Sequence, residues 1–427
     1  MSFPEGFLWG CSTAAYQVEG GNAGSNWTAW ERKKRLEPCG PASNSWELWR
    51  EDVRALQELH ANAYRFSVEW SRVEPHPGEY DEAVLERYAL QAKALRLAGI
   101  RPIVSLHHFS EPAWLYERWP QGWLTDAPVG PFLDFVERVS GALRGEVSDW
   151  VTFNEPMVWL LFGYGLGFWP PGFRRGLSLE RTFVHNGLIA RVARAHNEAY
   201  RLLKADNPDA RVSLAQNMVD LEPARANVAD LGALQAWDRF MHGHLLDLAK
   251  SAGTLDFIGV NYYTRIYVRS SPFFPMGVMP CYGELERALG HRLFHLLGGR
   301  RGGRALTDMG WEVVPEGLGR VLGRLHRAYG LPLLVTENGI ADATGLKRED
   351  FLREHVSAMG DAMAQGADVF GYLHWSLVDN YEWGSFAPRF GLYSVDKDAA
   401  YKRRPANGSK LFTQIAKTNA SCLATNK

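Results

Sequence analysis

The sequence predicts an α/β protein folded as a single (β/α)8 barrel, with its functional site at the carboxyl ends of the strands. Three observations lead to this prediction. Eight short apolar runs rich in Val, Ile, Leu and Phe are distributed along the chain. A helical pattern or a long loop follows each run, and strict alternation of this kind is typical of parallel strands joined by crossovers. The first run lacks the glycine-rich phosphate loop that usually marks the alternative, an open doubly wound sheet.

Each predicted strand is a short run of apolar and β-branched residues, which is typical of strands buried on both faces. The eight strands are predicted at residues 7–13, 64–70, 101–108, 150–154, 211–217, 255–263, 331–337 and 369–376.

The segments between the strands show the spacing of amphipathic helices. Between the first two strands, Trp46, Trp49, Val53 and Leu56 recur every three or four residues, as on one face of a helix. A second helix is predicted at 81–98 and is followed by Gly99, a residue common after helix ends. Further helical patterns cover 128–144, 180–205, 230–250, 315–328 and 348–365.

The length of 427 residues would suggest nearly three domains of average size, but α/β barrels often run this long as one unit. The sequence contains no internal repeat, linker or low-complexity segment that would divide it. We therefore expect one domain over residues 1–427, with a short C-terminal tail from about residue 419.

Charge and composition exclude several classes of protein. Lys and Arg number 47 and Asp and Glu 48, so the net charge of −1 provides no basic excess for nucleic acid or anionic lipid. The four cysteines form no Cys-x-x-Cys pair, which argues against a disulfide scaffold or a zinc ribbon. The sequence shows neither a signal-peptide pattern nor an apolar run of membrane-spanning length. We expect a cytoplasmic protein without nucleic-acid or membrane partners, and its oligomeric state stays open.

Polar or aromatic side chains lie within or just beyond each predicted strand. A single polar residue at a strand end is usually part of a turn, and a single aromatic residue there usually packs in the core. All eight predicted strands carry such residues, and this favours a functional site over turns and core packing. The groups are carboxylates, amides, an imidazole, a guanidinium and indoles. The residues are Gln17, Arg65, His108, Asn154, Glu155, Asn217, Asn261, Tyr263, Glu337, Trp375, Glu382 and Trp383.

Two of these residues, Glu155 and Glu337, belong to the ends of the fourth and seventh strands, which nearly face each other across the mouth of an eight-stranded barrel. Two carboxyl groups across a cleft are what cleavage of a glycosidic bond requires, one as an acid and one as a charged partner at the anomeric carbon. The alternative is that each glutamate forms a structural pair with an arginine.

Seven longer runs of the sequence carry a family resemblance. They are Phe7-Leu-Trp-Gly-Cys-Ser-Thr-Ala-Ala-Tyr-Gln-Val-Glu-Gly20, Tyr64-Arg-Phe-Ser-Val-Glu-Trp-Ser-Arg72, Thr152-Phe-Asn-Glu-Pro156, Asp256-Phe-Ile-Gly-Val-Asn-Tyr-Tyr263, Asp308-Met-Gly-Trp-Glu312, Thr336-Glu-Asn-Gly339 and Trp375-Ser-Leu-Val-Asp-Asn-Tyr-Glu-Trp383. In this order, over about residues 3 to 418, they make the chain resemble glycoside hydrolase family 1, the β-glucosidase family. The resemblance implies a retaining β-glucosidase that acts on aryl glucosides and short β-gluco-oligosaccharides, and also on β-galactosides and β-fucosides.

The resemblance implies roles for the residues that match. Glu155 is the general acid/base and Glu337 the nucleophile, with Arg65, Asn154 and Tyr263 in support. A raised pKa suits the acid, whereas a guanidinium and a hydroxyl suit a nucleophile that stays ionised. The residues implied in sugar binding are Gln17, His108, Asn154, Asn261, Trp311, Trp375, Glu382, Trp383 and Phe390.

Other functions remain as alternatives. A 6-phospho-β-glycosidase is disfavoured because Glu382 would place a carboxylate against the phosphate. A catalytically silent sugar-binding homologue is disfavoured because both glutamates are present. A transglycosylase would use the same residues with a different acceptor. His107 and His108 are adjacent on a strand and point to opposite faces, so we expect no metal site and no cofactor.

Overall fold

Eight parallel strands close a barrel in the computed structural model of the protein, which describes residues 3–175, 178–281, 293, 297 and 302–423. In chain order the strands are β1 (Leu8–Ser12), β2 (Ala63–Ser67), β3 (Arg101–His107), β4 (Asp149–Asn154), β5 (Arg211–Asn217), β6 (Ile258–Asn261), β7 (Leu333–Asn338) and β8 (Val369–Trp375). Each strand pairs with the next one along the chain, and β8 pairs with β1. The predicted (β/α)8 barrel is therefore confirmed, and β6 is shorter than the predicted 255–263.

Helices cover the outside of the barrel. The α-helices of the described residues are Ala15–Val18, Asn26–Lys34, Ser45–Glu58, Trp70–Val73, Glu82–Leu97, Ala113–Arg118, Val129–Ala142, Pro156–Leu160, Leu188–Asp206, Val228–Asp238, His244–Ser251, Pro315–Tyr329, Arg348–Ala364 and Ser409–Thr418. The helix predicted at 180–205 begins later, after a π-helical turn at Arg181–His185. The helix predicted at 230–250 is two helices joined by a π-helical turn at Arg239–Gly243.

One small apolar cluster joins the eight strand segments of the barrel. Its members come from all eight strand segments, one from each, and are Leu8, Ala63, Ile103, Val151, Ala215, Phe257, Leu334 and Leu373. A much larger apolar cluster lies between the strands and the surrounding helices. The polar side chains of Asn154, Asn217 and Glu337 lie at the carboxyl ends of their strands, where a barrel of this kind places its functional site.

Two strands have irregular pairing near their carboxyl ends. The register of β4 against β5 shifts between Val151 and Asn154. The register of β7 against β6 shifts between Val335 and Glu337. Such bulges redirect the side chains that follow them. Both shifts immediately precede or include one of the two glutamates singled out in the sequence.

The structure contains short strands that the sequence analysis did not predict. Asp220–Pro223, Arg265–Ser270 and Val278–Cys281 form a small three-stranded sheet, and Tyr393–Asp396 pairs with Lys402–Pro405. Most of these strands have only four residues, too few for a periodic signal.

The predicted C-terminal tail is described as far as residue 423, and residues 424–427 lie outside the described residues. Its first residue, Asn419, donates a hydrogen bond of 2.9 Å to the carbonyl of Phe3 and accepts one of 2.8 Å from the indole of Trp9. These contacts join the end of the described chain to its beginning. Among the described residues, no helix combines the length and apolar character needed to cross a bilayer.

Candidate active site

A cavity of about 270 Å³ opens at the carboxyl ends of the barrel strands. Eleven of the thirteen site residues predicted from the sequence line it: Gln17, His108, Asn154, Glu155, Tyr263, Trp311, Glu337, Trp375, Glu382, Trp383 and Phe390. The remaining two, Arg65 and Asn261, are fully buried behind the lining and are hydrogen-bonded to lining residues. The structure thus brings all thirteen residues into one place.

The carboxylate of Glu337 is held by two strong donors. Arg65 Nη1 donates to Oε1 at 2.6 Å, and the Tyr263 hydroxyl donates to Oε2 at 2.6 Å. Burial raises the pKa of Glu337, while the positive charge of Arg65 and the hydrogen bond from Tyr263 act in the opposite direction. Glu337 is therefore the carboxyl group with a cationic partner.

Arg65 links Glu337 to the neighbouring strands. Its Nη2 donates to Asn154 Oδ1 at 2.6 Å, and its Nε donates to Ser105 Oγ at 2.8 Å. The side chain is completely buried. Because its Nε, Nη1 and Nη2 atoms all donate hydrogen bonds, the buried guanidinium has a fixed orientation in which Nη1 points to Glu337.

Glu155 is in a different setting. Its Oε1 accepts hydrogen bonds from Asn217 Nδ2 at 3.0 Å and Asn261 Nδ2 at 2.9 Å. Amide N–H groups only donate, so the proton of a neutral Glu155 belongs on Oε2. Burial, reinforced by the nearby charge of Glu337, raises the pKa of Glu155 to about 8. Glu155 is thus the carboxyl group of the pair that carries a proton at neutral pH.

The backbone at Glu155 is unusual for a non-glycine residue. Its φ of 41° lies in the left-handed region, as do those of Phe109 (68°) and Trp383 (44°). All three residues line the cavity. Such conformations are costly and are kept where the surrounding structure determines them, often at functional sites.

The amide of Asn154 fixes the protonation of a histidine. Asn154 Oδ1 accepts from Arg65 and from Asn261 Nδ2 at 3.0 Å, so its Nδ2 faces His108 Nε2 at 3.1 Å. Burial lowers the pKa of His108 well below its ordinary value, and the ring is neutral. Because Nε2 accepts from an amide, the ring hydrogen resides on Nδ1. That atom has no partner among the described residues and belongs to a side chain that lines the cavity.

A second group of polar side chains lies around Glu382. Its Oε2 accepts from Asn380 Nδ2 at 2.9 Å and from Gln17 Nε2 at 3.1 Å. Gln17 Nε2 also donates to the carbonyl of Tyr381 at 2.8 Å, while its Oε1 has no partner among the described residues. Burial raises the pKa of Glu382 to about 7, with the charge of Glu337 adding to the effect.

Aromatic rings complete the lining. The rings of Trp375 and Trp383 lie nearly parallel to that of His108, with centroids at 5.8 and 6.2 Å. Trp311 packs against Tyr263 at 5.4 Å and against Phe390 at 6.5 Å. Flat aromatic faces beside hydrogen-bonding groups suit a ligand with both C–H surfaces and hydroxyls.

Gly339, two residues after Glu337, allows β7 and β8 to approach closely at the cavity. A Cβ atom at this position would lie 1.8 Å from the carbonyl oxygen of Trp375, which no side chain could accommodate. The glycine of the Thr336-Glu-Asn-Gly339 run is thus required by the packing beside Trp375.

Sequence reasoning missed some of the site. Asn217 stood among the strand-end residues but received no role, although its position at the end of β5 was a usable signal. Asn261 was expected to bind sugar, but Thr336 donates to its Oδ1 at 2.6 Å, and its two amide hydrogens are engaged by Asn154 and Glu155. The lining residues that the sequence analysis did not single out are mostly apolar: Val158, Leu161, Phe162, Trp169, Val219 and Met241, with Thr264 as the polar exception.

A larger cleft of about 750 Å³ lies beyond Tyr16, along residues 19–47. Its buried carboxylates already have protein partners. Glu31 accepts from the Tyr16 hydroxyl at 2.8 Å, and Glu19 pairs with Arg72 at 3.2 Å. The smaller cavity, where two carboxyl groups meet different partners, is therefore the better candidate for chemistry. Among the described residues, no group of three His, Cys, Asp or Glu side chains could hold a metal ion.

Comparison with known proteins agrees with this geometry. The family model described as glycosyl hydrolase family 1 matches residues 1–253 and 246–421. A chloroplastic 4-hydroxy-7-methoxy-3-oxo-3,4-dihydro-2H-1,4-benzoxazin-2-yl glucoside β-D-glucosidase of Secale cereale is 30% identical over 99% of this chain and 84% of its own length. A β-galactosidase of Pyrococcus woesei is 29% identical over 98% of this chain and 97% of its own.

A solved structure shows the same architecture. The β-glycosidase from Pyrococcus horikoshii superimposes with a TM-score of 0.86 at 33% identity, covering 97% of this chain and 95% of its own. The match extends over nearly the whole of both chains.

Proposed function

The chain belongs to glycosyl hydrolase family 1, and from this premise we propose that it is a retaining β-glycosidase that removes terminal non-reducing β-D-glucosyl residues. One observation carries the proposal. Two buried carboxyl groups share a cavity, and one has a guanidinium and a phenol as partners while the other has only amides. These settings separate a charged nucleophile from a protonated acid, as double displacement requires.

In the first step, Glu337 attacks the anomeric carbon from the face opposite the leaving group. The glycosidic C–O bond breaks, the proton on Glu155 Oε2 moves to the departing oxygen, and a glycosyl ester forms on Glu337. The second amide hydrogen of Asn154 and the Nδ1–H of His108 can donate to hydroxyls of the sugar. They do so while positive charge develops on the sugar ring. Arg65 and Tyr263 keep Glu337 ionised and oriented until the bond forms.

In the second step, water cleaves the ester. Glu337 is now neutral, so the negative charge that raised the pKa of Glu155 has gone and that pKa falls. Glu155 then accepts the proton of the attacking water, the ester C–O bond breaks, and Glu337 regains its charge. Two displacements at the same carbon retain the β configuration.

The choice of glucose rests on the polar end of the cavity. The carbonyl of Gln17, the Nδ1–H of His108 and the carboxyl group of Glu382 offer both acceptors and a donor to a hydroxyl-rich ring. The names of the relatives, a glucosidase and a galactosidase, support acceptance of β-glucosides and, as a second glycone, β-galactosides. Among the described residues, the three carboxyl groups of Glu155, Glu337 and Glu382 have only the guanidinium of Arg65 beside them, which disfavours a sugar 6-phosphate.

Trapping of the covalent intermediate tests the proposal. The protein is incubated with an activated 2-deoxy-2-fluoro-β-glucoside, and intact mass and peptide mapping are measured. We expect one fluoroglucosyl group on the peptide that contains Glu337. If only the 6-phospho analogue labelled the protein, its substrates would be 6-phospho-β-glycosides rather than β-glucosides. If the glucose, galactose and 6-phospho reagents all leave the mass unchanged and no glycoside is hydrolysed, the chain is a binding protein and the proposal is wrong.

The contact between Asn217 and Glu155 predicts a change in pH dependence. The acid must be protonated, so kcat/KM falls as pH rises through the pKa of Glu155, near 8. The amide of Asn217 stabilises the charged form, and its removal in Asn217→Leu raises this pKa further. We expect the alkaline limb of the pH–kcat/KM profile to move to higher pH. Asn207→Leu, at the end of the helix that precedes β5 and far from Glu155 in the strand direction, is the control that leaves the limb in place.

Substitution of Glu382 predicts a change in sugar preference. Its carboxyl group is held by Asn380 and Gln17 at the polar end, where the 6-hydroxyl of glucose would bind. A hydrogen bond to a charged group contributes about 1.5–3 kcal/mol, so Glu382→Ala should lower kcat/KM for β-glucosides roughly 10- to 100-fold more than for β-fucosides, which lack that hydroxyl. Equal losses for matched aryl glucosides and fucosides would show that Glu382 does not read this group.

A further inference from the structure

We propose that Glu69, a buried carboxyl group outside the cavity, is a positioning residue that fixes the turn carrying His108 and thereby the hydrogen bond of His108 to the sugar. The proposal rests on the function proposed above, because it concerns how a sugar-binding side chain of that site is held. Three observations support it: the bonds that Glu69 makes, the strained conformation of the turn that it reaches, and the free nitrogen that this turn presents to the cavity.

Glu69 lies two residues beyond the end of β2 and is 1% exposed. Its two oxygens accept hydrogen bonds from different parts of the chain. Ser71 Oγ donates to Oε1 at 2.6 Å within the same segment, whereas Ser110 Oγ donates to Oε2 at 2.7 Å from the turn after β3. Glu69 is not among the residues that line the cavity. It therefore joins the ends of two paired strands, β2 and β3, from outside the cavity.

The setting of this carboxyl group is unfavourable for stability. Among the described residues, its oxygens accept hydrogen bonds only from the two serine hydroxyls, and it forms no ion pair. Removal of a carboxylate from water is costly unless a cation is bonded to it, and a buried apolar residue would serve stability as well. The carboxyl group of Glu69 does what an apolar residue cannot do, because it holds two hydroxyls from two segments in fixed directions. This points to a geometric role.

The turn to which Ser110 belongs is strained. It follows β3 directly and contains Phe109, whose φ of 68° lies in the left-handed region. Such a conformation persists only where neighbouring groups determine it. Trp27 Nε1 donates to the carbonyl of Phe109 at 3.0 Å, and Asn26 bonds to the backbone just beyond Ser110. Both come from the segment after β1, so the side chain of Glu69 is the contact that ties the turn to the end of β2.

His108 is the residue of this turn that faces the sugar. Its Nε2 lies 3.1 Å from the amide of Asn154, and its Nδ1–H has no partner among the described residues. The direction of that N–H depends on where the turn holds the backbone of His108, and a hydrogen bond weakens steeply as its angle departs from linearity. A shift of the turn would therefore weaken the bond to one sugar hydroxyl and leave the contacts of Gln17 and Glu382 in place.

Monodeoxy substrates test the proposal. An aryl β-glucoside and its 2-, 3-, 4- and 6-deoxy counterparts give a ratio of kcat/KM, parent over deoxy, for each hydroxyl. His108→Ala identifies the hydroxyl that His108 binds, because the ratio for that hydroxyl falls. In Glu69→Leu we expect kcat/KM for the parent glucoside to fall roughly 10- to 100-fold, the size of loss that a misplaced group causes, and the same ratio to fall. A general loss of structure would instead lower the rates for all the substrates alike.

Further variants locate the effect. Ser110→Ala removes the same contact with a smaller change and should reproduce the pattern with a loss of roughly 3- to 10-fold. Glu69→Gln keeps a hydrogen-bonding atom for each serine and should restore most of the parent rate. Glu74→Leu is the matched control, because Glu74 is also buried but accepts from Trp70 Nε1 at 2.7 Å and from the backbone of Gly78 at 2.8 Å. It should leave every ratio unchanged.

A double variant and a crystal structure complete the test. His108→Ala combined with Glu69→Leu should lose no more activity than His108→Ala alone, because a residue that acts through another has no effect once that other is gone. Losses that multiply, or a pattern in Glu69→Leu that differs from that of His108→Ala, would overturn the role of Glu69. The crystal structure of Ser110→Ala should show a displaced His108 ring, and an unmoved ring would also overturn it.

These outcomes are separate from those that bear on the proposed function. If the unaltered protein hydrolysed no glycoside, the proposed function would be wrong. The position of the His108 ring in the crystal structures would still decide whether Glu69 holds the turn, because that measurement needs no substrate.

Discussion

Replacement of Glu337 by alanine should abolish hydrolysis of β-glucosides, with a fall in kcat on the order of 10⁶-fold, the size of loss known from removal of a catalytic nucleophile. The reason lies in its contacts. Glu337 is the one carboxyl group of the cavity held by a buried guanidinium, at 2.6 Å from Arg65, and by the Tyr263 hydroxyl. Without it, no group remains at that position to form a glycosyl ester. The measurement is kcat for an activated aryl β-glucoside.

Azide provides the diagnostic for this variant. The space left by the Glu337 side chain would admit azide to the face of the anomeric carbon that the nucleophile uses. A single displacement from that face inverts the configuration, so the expected product is an α-glycosyl azide. Glu198→Ala, which changes a surface carboxylate on the helix Leu188–Asp206, serves as the control for general effects of losing a glutamate. A β-azide from the Glu337 variant would contradict its assignment as nucleophile.

Replacement of Glu155 by alanine should have the second-largest effect, and one that depends on the leaving group. Removal of a general acid costs about 10²- to 10⁴-fold for substrates whose leaving alcohol must be protonated. For substrates with a strongly activated leaving group the first step needs no acid, and a glycosyl–enzyme should accumulate because the base for the second step is missing. The measurement is a comparison of kcat/KM for alkyl and dinitrophenyl β-glucosides.

Azide distinguishes this variant from the previous one. With Glu155 removed, azide enters from the leaving-group side after the ester on Glu337 has formed. The second displacement then yields a β-glycosyl azide and restores turnover of activated substrates. If azide produced no rescue, or the loss were the same for good and poor leaving groups, Glu155 would not be the acid/base. Opposite product configurations in the two variants would assign both roles from one experiment.

Much of the fold could be predicted from the sequence because its signals are local. Each barrel strand is a run of apolar residues, and the alternation of such runs with amphipathic helices restricts the topology to very few arrangements. Every one of the eight predicted strands overlaps an observed one. The exceptions have physical causes. Four-residue strands such as Asp220–Pro223 carry too little pattern, and the π-helical turn at Arg239–Gly243 interrupts a segment whose apolar spacing is continuous.

The chemical groups of the site could likewise be predicted, because a barrel gathers the residues that follow its strands at one end. Their partners could not. Arg65 and Glu337 are 272 residues apart in the chain, and the hydrogen bond between them depends on the closure of the whole barrel. The same holds for Asn217 and Glu155, which face each other only because β4 and β5 pair with a shifted register.

The sequence by itself therefore determined the architecture, the two carboxyl groups and most of the polar residues that line the cavity. Only the tertiary structure decided which oxygen of Glu155 carries the proton and which nitrogen of His108 bears hydrogen. The physical reason is the separation along the chain of the residues that each property involves. Burial and periodicity are recorded in neighbouring residues, whereas hydrogen-bond partners and cavity walls are formed by segments that meet only when the chain has folded.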